Sequence, residues 1–121
     1  MANFDDGQPI FQQIAQMIED DILRGIYRED DQIISMAQFA STFRINPATA
    51  VKGIALLVNE GILYKKRGLG MYVTKEAKRI IMRKRRDRFL NELVAKLLEE
   101  AEKLELTDED VIAMIQQNRR S

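Results

Sequence analysis

Two helix-start signals in this chain stand so close together that almost nothing fits between the helices they open, and that spacing limits the fold more than any other feature. Ser35 and Gln38 make an S-x-x-Q pattern, in which the hydroxyl accepts from the amide three residues on while the glutamine side chain reaches back. A helix is expected to start at Ser35 and to reach about Phe43. Asn46-Pro47 is the next signal: asparagine caps exposed amides, and proline sits where its missing donor costs nothing. The helix it opens has Ala50, Val51, Ile54, Leu57 and Val58 for packing and Gly61 as its stop. Only Arg44 and Ile45 lie between the two helices before the Asn46 cap, which is the helix-turn-helix pattern.

In that pattern the second helix is placed to enter a DNA major groove, and the flanking segments fit the same architecture. Upstream, Ile10, Ile14, Met17, Ile18, Ile22 and Leu23 recur at three- and four-residue steps, giving one face of a first helix with Pro9 near its first turn and Gly25 as its stop. Downstream, "ILYKK" and "MYVT" are β-branched and aromatic runs separated by Arg67-Gly68-Leu69-Gly70, a hairpin with glycines where positive φ is needed. A nucleotide-phosphate loop would follow a strand and open a helix, with a third glycine or a Gly-Lys-Ser/Thr; here the glycines stand between two strands. A hairpin with cations at its tip, directly after a helix-turn-helix, reads as the wing of a winged helix.

A second regime begins near Lys75. Ile80, Ile81, Phe89, Leu90, Leu93, Val94, Leu97, Leu98, Ala101 and Leu104 step by three and four, as in a long amphipathic helix running to about Leu106. Thr107-Asp108-Glu109-Asp110 then caps a last short helix whose apolar residues are Val111, Ile112, Met114 and Ile115. The fold class expected is mainly α with a small β-hairpin wing. A winged helix-turn-helix domain occupies residues 1–74, and a helical dimerisation region occupies residues 75–121.

Composition narrows the function. The chain has no cysteine and no histidine, which removes disulfides, thiolate zinc sites and the commonest metal ligand and general base. Ser35, Ser41 and Thr49 lack a histidine partner, so an enzyme is disfavoured and neither a metal nor a cofactor is expected. The start "MANFDDGQPIF" has acids where a secretory signal needs a basic and then an apolar run, and no apolar stretch approaches the ~20 residues that span a bilayer. A cytoplasmic protein without a membrane partner is expected. Formal net charge is zero, but the charges are segregated: a net of −6 over residues 1–34, +10 over 35–90 and −4 over 91–121. A basic middle between acidic ends fits a polyanionic partner.

These motifs resemble the winged helix-turn-helix of GntR-type bacterial transcription regulators, and the short tail is similar to that of their YtrA-like subfamily. The matching residues are "PIFQQIAQMIEDDILRG" (9–25), "ISMAQFASTFRINPATAVKGIALL" (34–57) and "EGILYKKRGLGMYV" (60–73). The tail matches by length and helical character only, and Asn46-Pro47 is the feature most like the YtrA-type members. The resemblance implies a homodimer that binds a roughly palindromic double-stranded operator, usually to repress transcription. It also implies a DNA-binding set of Asn46, Pro47, Ala48, Thr49 and Lys52 at the recognition helix, Ser35 at the preceding helix start, and Arg67, Gly68 and Gly70 in the wing, to which the cations Lys65 and Lys66 of the same hairpin are added as candidates. Three departures stand out. Ile34-Ser35-Met36-Ala37 replaces the usual Pro-Ser-x-Arg and so lacks an arginine that usually contacts DNA, Gly53 replaces a usual alanine, and Met71 replaces a usual threonine.

On this reading the amides of Ala48 and Thr49 can meet a phosphate, while the Thr49 hydroxyl and the Lys52 cation lie on the exposed side of the third helix. Lys65, Lys66 and Arg67 neutralise phosphates, and Gly68 and Gly70 let the wing backbone approach the duplex. Each has a plainer reading: Asn46 and Ser35 as helix caps only, Lys65 as a solvated strand residue. Lys75, Lys78 and Arg79 crowd a helix start, where cations oppose the macrodipole, and nearby DNA phosphate would offset that. Phe89, Leu90, Leu93, Val94, Leu97 and Leu98 form an apolar stripe that needs a partner surface, most economically a second copy. An alternative with the same fold is a protein-interaction adaptor whose basic face meets an acidic protein. No effector is legible, and 47 tail residues leave little room for a large ligand pocket.

Overall fold

The computed structural model describes residues 7–68 and 70–121; Leu69 in the expected turn and the acidic residues of the N-terminal start lie outside the described residues. Helix α1 (Ile10–Leu23) follows Pro9, whose extended backbone stands just outside the first turn. Its buried apolar residues Ile14, Ala15, Ile18 and Ile22 lie on one face, as the three- and four-residue steps require, and Glu19 is buried among them. Gly25 beyond its end has φ 81°, the left-handed conformation that stops a helix at little steric cost.

Ser35 caps α2 (Met36–Phe43), its Oγ accepting from the Gln38 amide at 3.0 Å. Asn46 caps α3 (Pro47–Asn59), its Oδ1 accepting from the Ala48 amide at 2.8 Å, with Pro47 in the first turn. Between them Arg44 adopts the left-handed region (φ 53°, ψ 46°) and Ile45 returns its amide to Ala40 O at 3.0 Å, so two residues suffice to turn the chain. Strands β1 (Leu63–Lys66) and β2 (Gly70–Val73) pair antiparallel, with Leu63 opposite Val73, Tyr64 opposite Tyr72, Lys65 opposite Met71 and Lys66 opposite Gly70. Thr74 closes the hairpin's base, donating its hydroxyl to Gly61 O at 2.7 Å and its amide to Ile62 O at 3.0 Å.

Sequence reading missed one component of the sheet. The segment between α1 and α2 lies along β2, with Asp30 N donating to Val73 O (2.9 Å), Val73 N to Asp31 O (3.0 Å) and Ile33 N to Met71 O (3.0 Å), and it forms an isolated bridge at Gln32 and Tyr72. The wing is therefore held on both sides of β2. Only Ile33 of this segment is buried among acids and polar residues, so no alternation announces a strand there.

The core gathers Ile14, Ile54, Leu57, Ile62, Leu63 and Val73, each at most 2% exposed, and α4 (Ala77–Arg88) adds Ala77 and Ile81. The chain divides into two compact units, residues 1–83 and 84–121; the first extends past the hairpin because these α4 residues complete its core. In the second unit the helix continues through a π-helical stretch (Phe89–Val94) into α5 (Ala95–Lys103). Glu105, at φ 57°, and the bond from Leu106 N to Ala101 O (2.9 Å) turn the chain into α6 (Asp108–Arg120). Thr107 opens α6 with both halves of a capping box: Asp110 N donates to Thr107 Oγ1 (3.1 Å), and Thr107 N donates to Asp110 Oδ2 (2.9 Å).

Candidate nucleic-acid interface

The expected DNA-binding residues fall into two clusters within the first unit, at the start of α3 and at the tip of the β1–β2 hairpin, with Ser35 apart from both as the α2 cap. Asn46, Pro47 and Ala48 are exposed, Thr49 is half-buried and Lys52 is exposed. The expectation that the Ala48 and Thr49 amides meet a phosphate does not hold for this conformation: Ala48 N already donates to Asn46 Oδ1, and Thr49 N donates to Asn46 O at 2.9 Å. The asparagine that starts the helix satisfies these donors itself, which is what a cap does. Side chains, not free amides, are then the groups α3 can offer.

Lys52 does not simply project into solvent. Its Nζ sits 4.2 Å from the centre of the Phe11 ring on α1, a cation–π contact. At an exposed site such a contact contributes about 0.5–1 kcal/mol, weak enough for an anion to displace it and strong enough to bias where the ammonium waits. Beside it α1 and α3 are in close contact: a Cβ on Gly53 would lie 2.8 Å from Phe11 O and 3.1 Å from Ile14 Cγ2. Glycine in place of the usual alanine is thus the residue that lets α1 approach. The helix-propensity loss of ~1 kcal/mol is set against that closer packing.

At the hairpin, Lys65, Lys66, Arg67 and Gly68 are all exposed. Strand alternation puts Lys65 and Lys66 on opposite faces. Lys66 Nζ lies 4.3 Å from the Tyr72 ring centre and 6.0 Å from that of Tyr64, and the two tyrosines pack with centroids 5.9 Å apart. Tyr64 donates its hydroxyl to Asp30 Oδ1 at 2.9 Å, a bond that raises the phenol above its ordinary pKa of 10.0. Through the Tyr64–Asp30 bond this aromatic–cation group ties the hairpin to the 30–33 segment. Phe11, Asp30, Tyr64 and Tyr72 were missed as site residues. Tyr64 and Tyr72 could have been read as a cross-strand pair from the hairpin register, whereas the contact of Phe11 with Lys52 is tertiary and leaves no mark in the sequence. Gly68 (φ 75°) meets open space, while a Cβ on Gly70 (φ 92°) would lie 2.9 Å from Gln32 Nε2.

The cationic crowding at the start of α4 has an internal partner as well, since Arg79 Nε donates to Glu76 Oε2 at 2.8 Å. In the second unit Phe89, Leu90, Leu93, Leu97 and Leu98 are 44–62% exposed, and Val94 is half-buried. None of the six expected dimerisation residues is buried within its own unit. Among the described residues no group of three or more metal-ligating side chains occurs, and no helix is long and apolar enough to cross a membrane.

Two short capped helices, a cationic hairpin and their shared core define a winged helix-turn-helix protein. No protein-family model matches the chain. It is 33% identical to a GntR family transcriptional regulator from Listeria monocytogenes, with a TM-score of 0.78 over 94% of this chain and 98% of that one. The chain belongs to the GntR family of transcriptional regulators, whose members here are regulators and not enzymes. The resemblance to YtrA-type members is matched as well: the HTH-type transcriptional repressor YtrA of Bacillus subtilis is 36% identical over 70 residues, 58% of this chain. The chain spans about half the length of that relative, 54%. Likeness extends into the tail in YhcF of Bacillus subtilis, described as an HTH-type transcriptional regulator, which is 25% identical over 90% of this chain and 88% of its own.

Proposed function

We propose that the chain is a DNA-binding transcriptional repressor that acts as a homodimer on a roughly palindromic operator. The reading rests above all on one observation: a single compact unit carries both an Asn46-capped helix with exposed polar and cationic residues and a glycine-turned hairpin whose tip exposes Lys65, Lys66 and Arg67. Phosphate contacts fall to Lys65, Arg67 and the ammonium of Lys66, and their released counterions favour binding. Base readout falls to Asn46, Thr49 and Lys52 in the major groove, with Lys52 leaving the Phe11 ring to reach it. Without an arginine at position 37, the start of α2 contributes Ser35 and backbone contacts to positioning. The exposed stripe from Phe89 to Leu98 joins two copies, so that two recognition helices lie about one DNA turn, ~34 Å, apart. The name of the YtrA relative supports repression in particular.

A titration of labelled duplex carrying the chain's own upstream DNA against a scrambled duplex, followed by fluorescence anisotropy over a salt series, tests the proposal. The expected result is tighter binding to the upstream duplex, with affinity falling steeply as salt rises. Equal, weak affinity for both duplexes would overturn specific regulation and favour a protein-interaction adaptor.

A further inference from the structure

The helix that runs through the second unit carries opposite charge at its two ends. Lys84, Arg85, Arg86, Asp87 and Arg88 stand at its start, four cations against one acid, and Glu99, Glu100, Glu102, Lys103 and Glu105 at its end, four acids against one cation. Lys103 is engaged by its own neighbours, 3.3 Å from Glu100 Oε2 and 3.8 Å from Glu99 Oε1, while Glu102 and Glu105 are exposed, as are Arg86 and Arg88. The apolar surface is divided in the same sense. Phe89 and Leu90 stand 59% and 62% exposed near the basic end. Toward the acidic end lies an apolar groove of about 500 Å³ between α5 and α6, lined by Leu97, Ala101, Leu104, Val111, Met114 and Ile115 among others.

We propose that this helix pairs antiparallel with the same helix of a second copy, an inference that rests on the homodimer reading above. Crossing near Ala95, the middle of the helix, an antiparallel two-fold sets the basic start of each copy along the acidic end of the other. The same crossing carries the partner's Phe89 and the partner's Leu90 to the level of Ala101, the buried floor of the groove. A parallel pairing would do the reverse on both counts, laying cations on cations and acids on acids and leaving the groove opposite another groove. Exposed ion pairs contribute little each, so the charges select the direction of pairing while the buried apolar area holds the copies together. The π-helical stretch carries most of the stripe; its i→i+5 bonds accommodate one extra residue in a turn and shift the phase of the side chains that follow.

The chain has no cysteine of its own, so introduced thiols report the direction directly. Arg86→Cys and Leu104→Cys place thiols at the two exposed ends. Under mild oxidation an equal mixture of the two variants is expected to give the mixed disulfide, while neither variant alone cross-links to itself. Sedimentation velocity on the unsubstituted chain establishes whether it is dimeric. A dimer whose single variants each form self-disulfides, or in which no mixed disulfide forms, overturns the antiparallel arrangement and leaves the homodimer standing; a monomer overturns both. Charge reversal gives a second readout that needs no cross-link. Arg86→Glu with Arg88→Glu weakens dimerisation by about tenfold, and adding Glu102→Arg with Glu105→Arg restores it. Failure of that restoration contradicts the proposed direction.

Discussion

Gly53 sits where α1 leaves no room for a side chain on α3, and its missing side chain decides a balance between two effects of similar size. Alanine would gain about 1 kcal/mol of helix propensity, but its Cβ would stand 2.8 Å from a backbone oxygen, a contact that cannot be relieved by rotating a side chain. Overpacking of this kind costs about 1–3 kcal/mol, so Gly53→Ala is expected to lower the midpoint of thermal unfolding; a rise would mean that the helices separate at no cost. Arg67 poses a cleaner question, because it is exposed at the hairpin tip and its role is one charge. On the proposed function Arg67→Ala weakens binding to specific and scrambled duplex alike and, with one Arg67 in each copy of the dimer, reduces the slope of log affinity against log salt by about two. An unchanged slope would remove Arg67 from the phosphate contacts.

Among the elements, those opened by a side-chain cap were the most legible. Ser35, Asn46 and Thr107 each start a helix at the position the pattern indicates, because a cap is a local bond whose two partners lie within three residues. The hairpin was legible for the same reason: its glycines take the positive φ they alone adopt freely, at 75° and 92°. What escaped was non-local. The 30–33 segment pairs with β2 across some 40 residues of chain, and the site for Lys52 is made by a ring on another helix. The charged character of residues 84–88 was visible, but the sequence could not say which surface those charges face. The wing joins the two kinds of information, since Gly70 is required by its own φ of 92°, while the Gln32 side-chain amide beside it belongs to the segment the sequence did not announce. Gly70→Ala is therefore expected to disorder the tip of the hairpin and weaken DNA binding while Leu63 and Val73 at its base keep their places in the core, so that the helical circular dichroism stays nearly unchanged. Loss of helical signal in parallel would show that the disturbance reaches Leu63 and Val73, the strand residues that belong to the core.

At the scale of the whole molecule the proposal is that two copies, joined through the exposed stripe from Phe89 to Leu98, present two identical reading heads. Neither head carries an arginine at position 37, so each is expected to bind weakly alone, and the dimer multiplies the two contacts. Hydroxyl-radical footprinting of the full chain on its own upstream DNA tests this most directly. Two protected patches related by a dyad, with centres about 10 base pairs or a multiple apart, are the predicted result. A single asymmetric patch, or uniform cleavage at protein concentrations where the chain is fully dimeric, would contradict it.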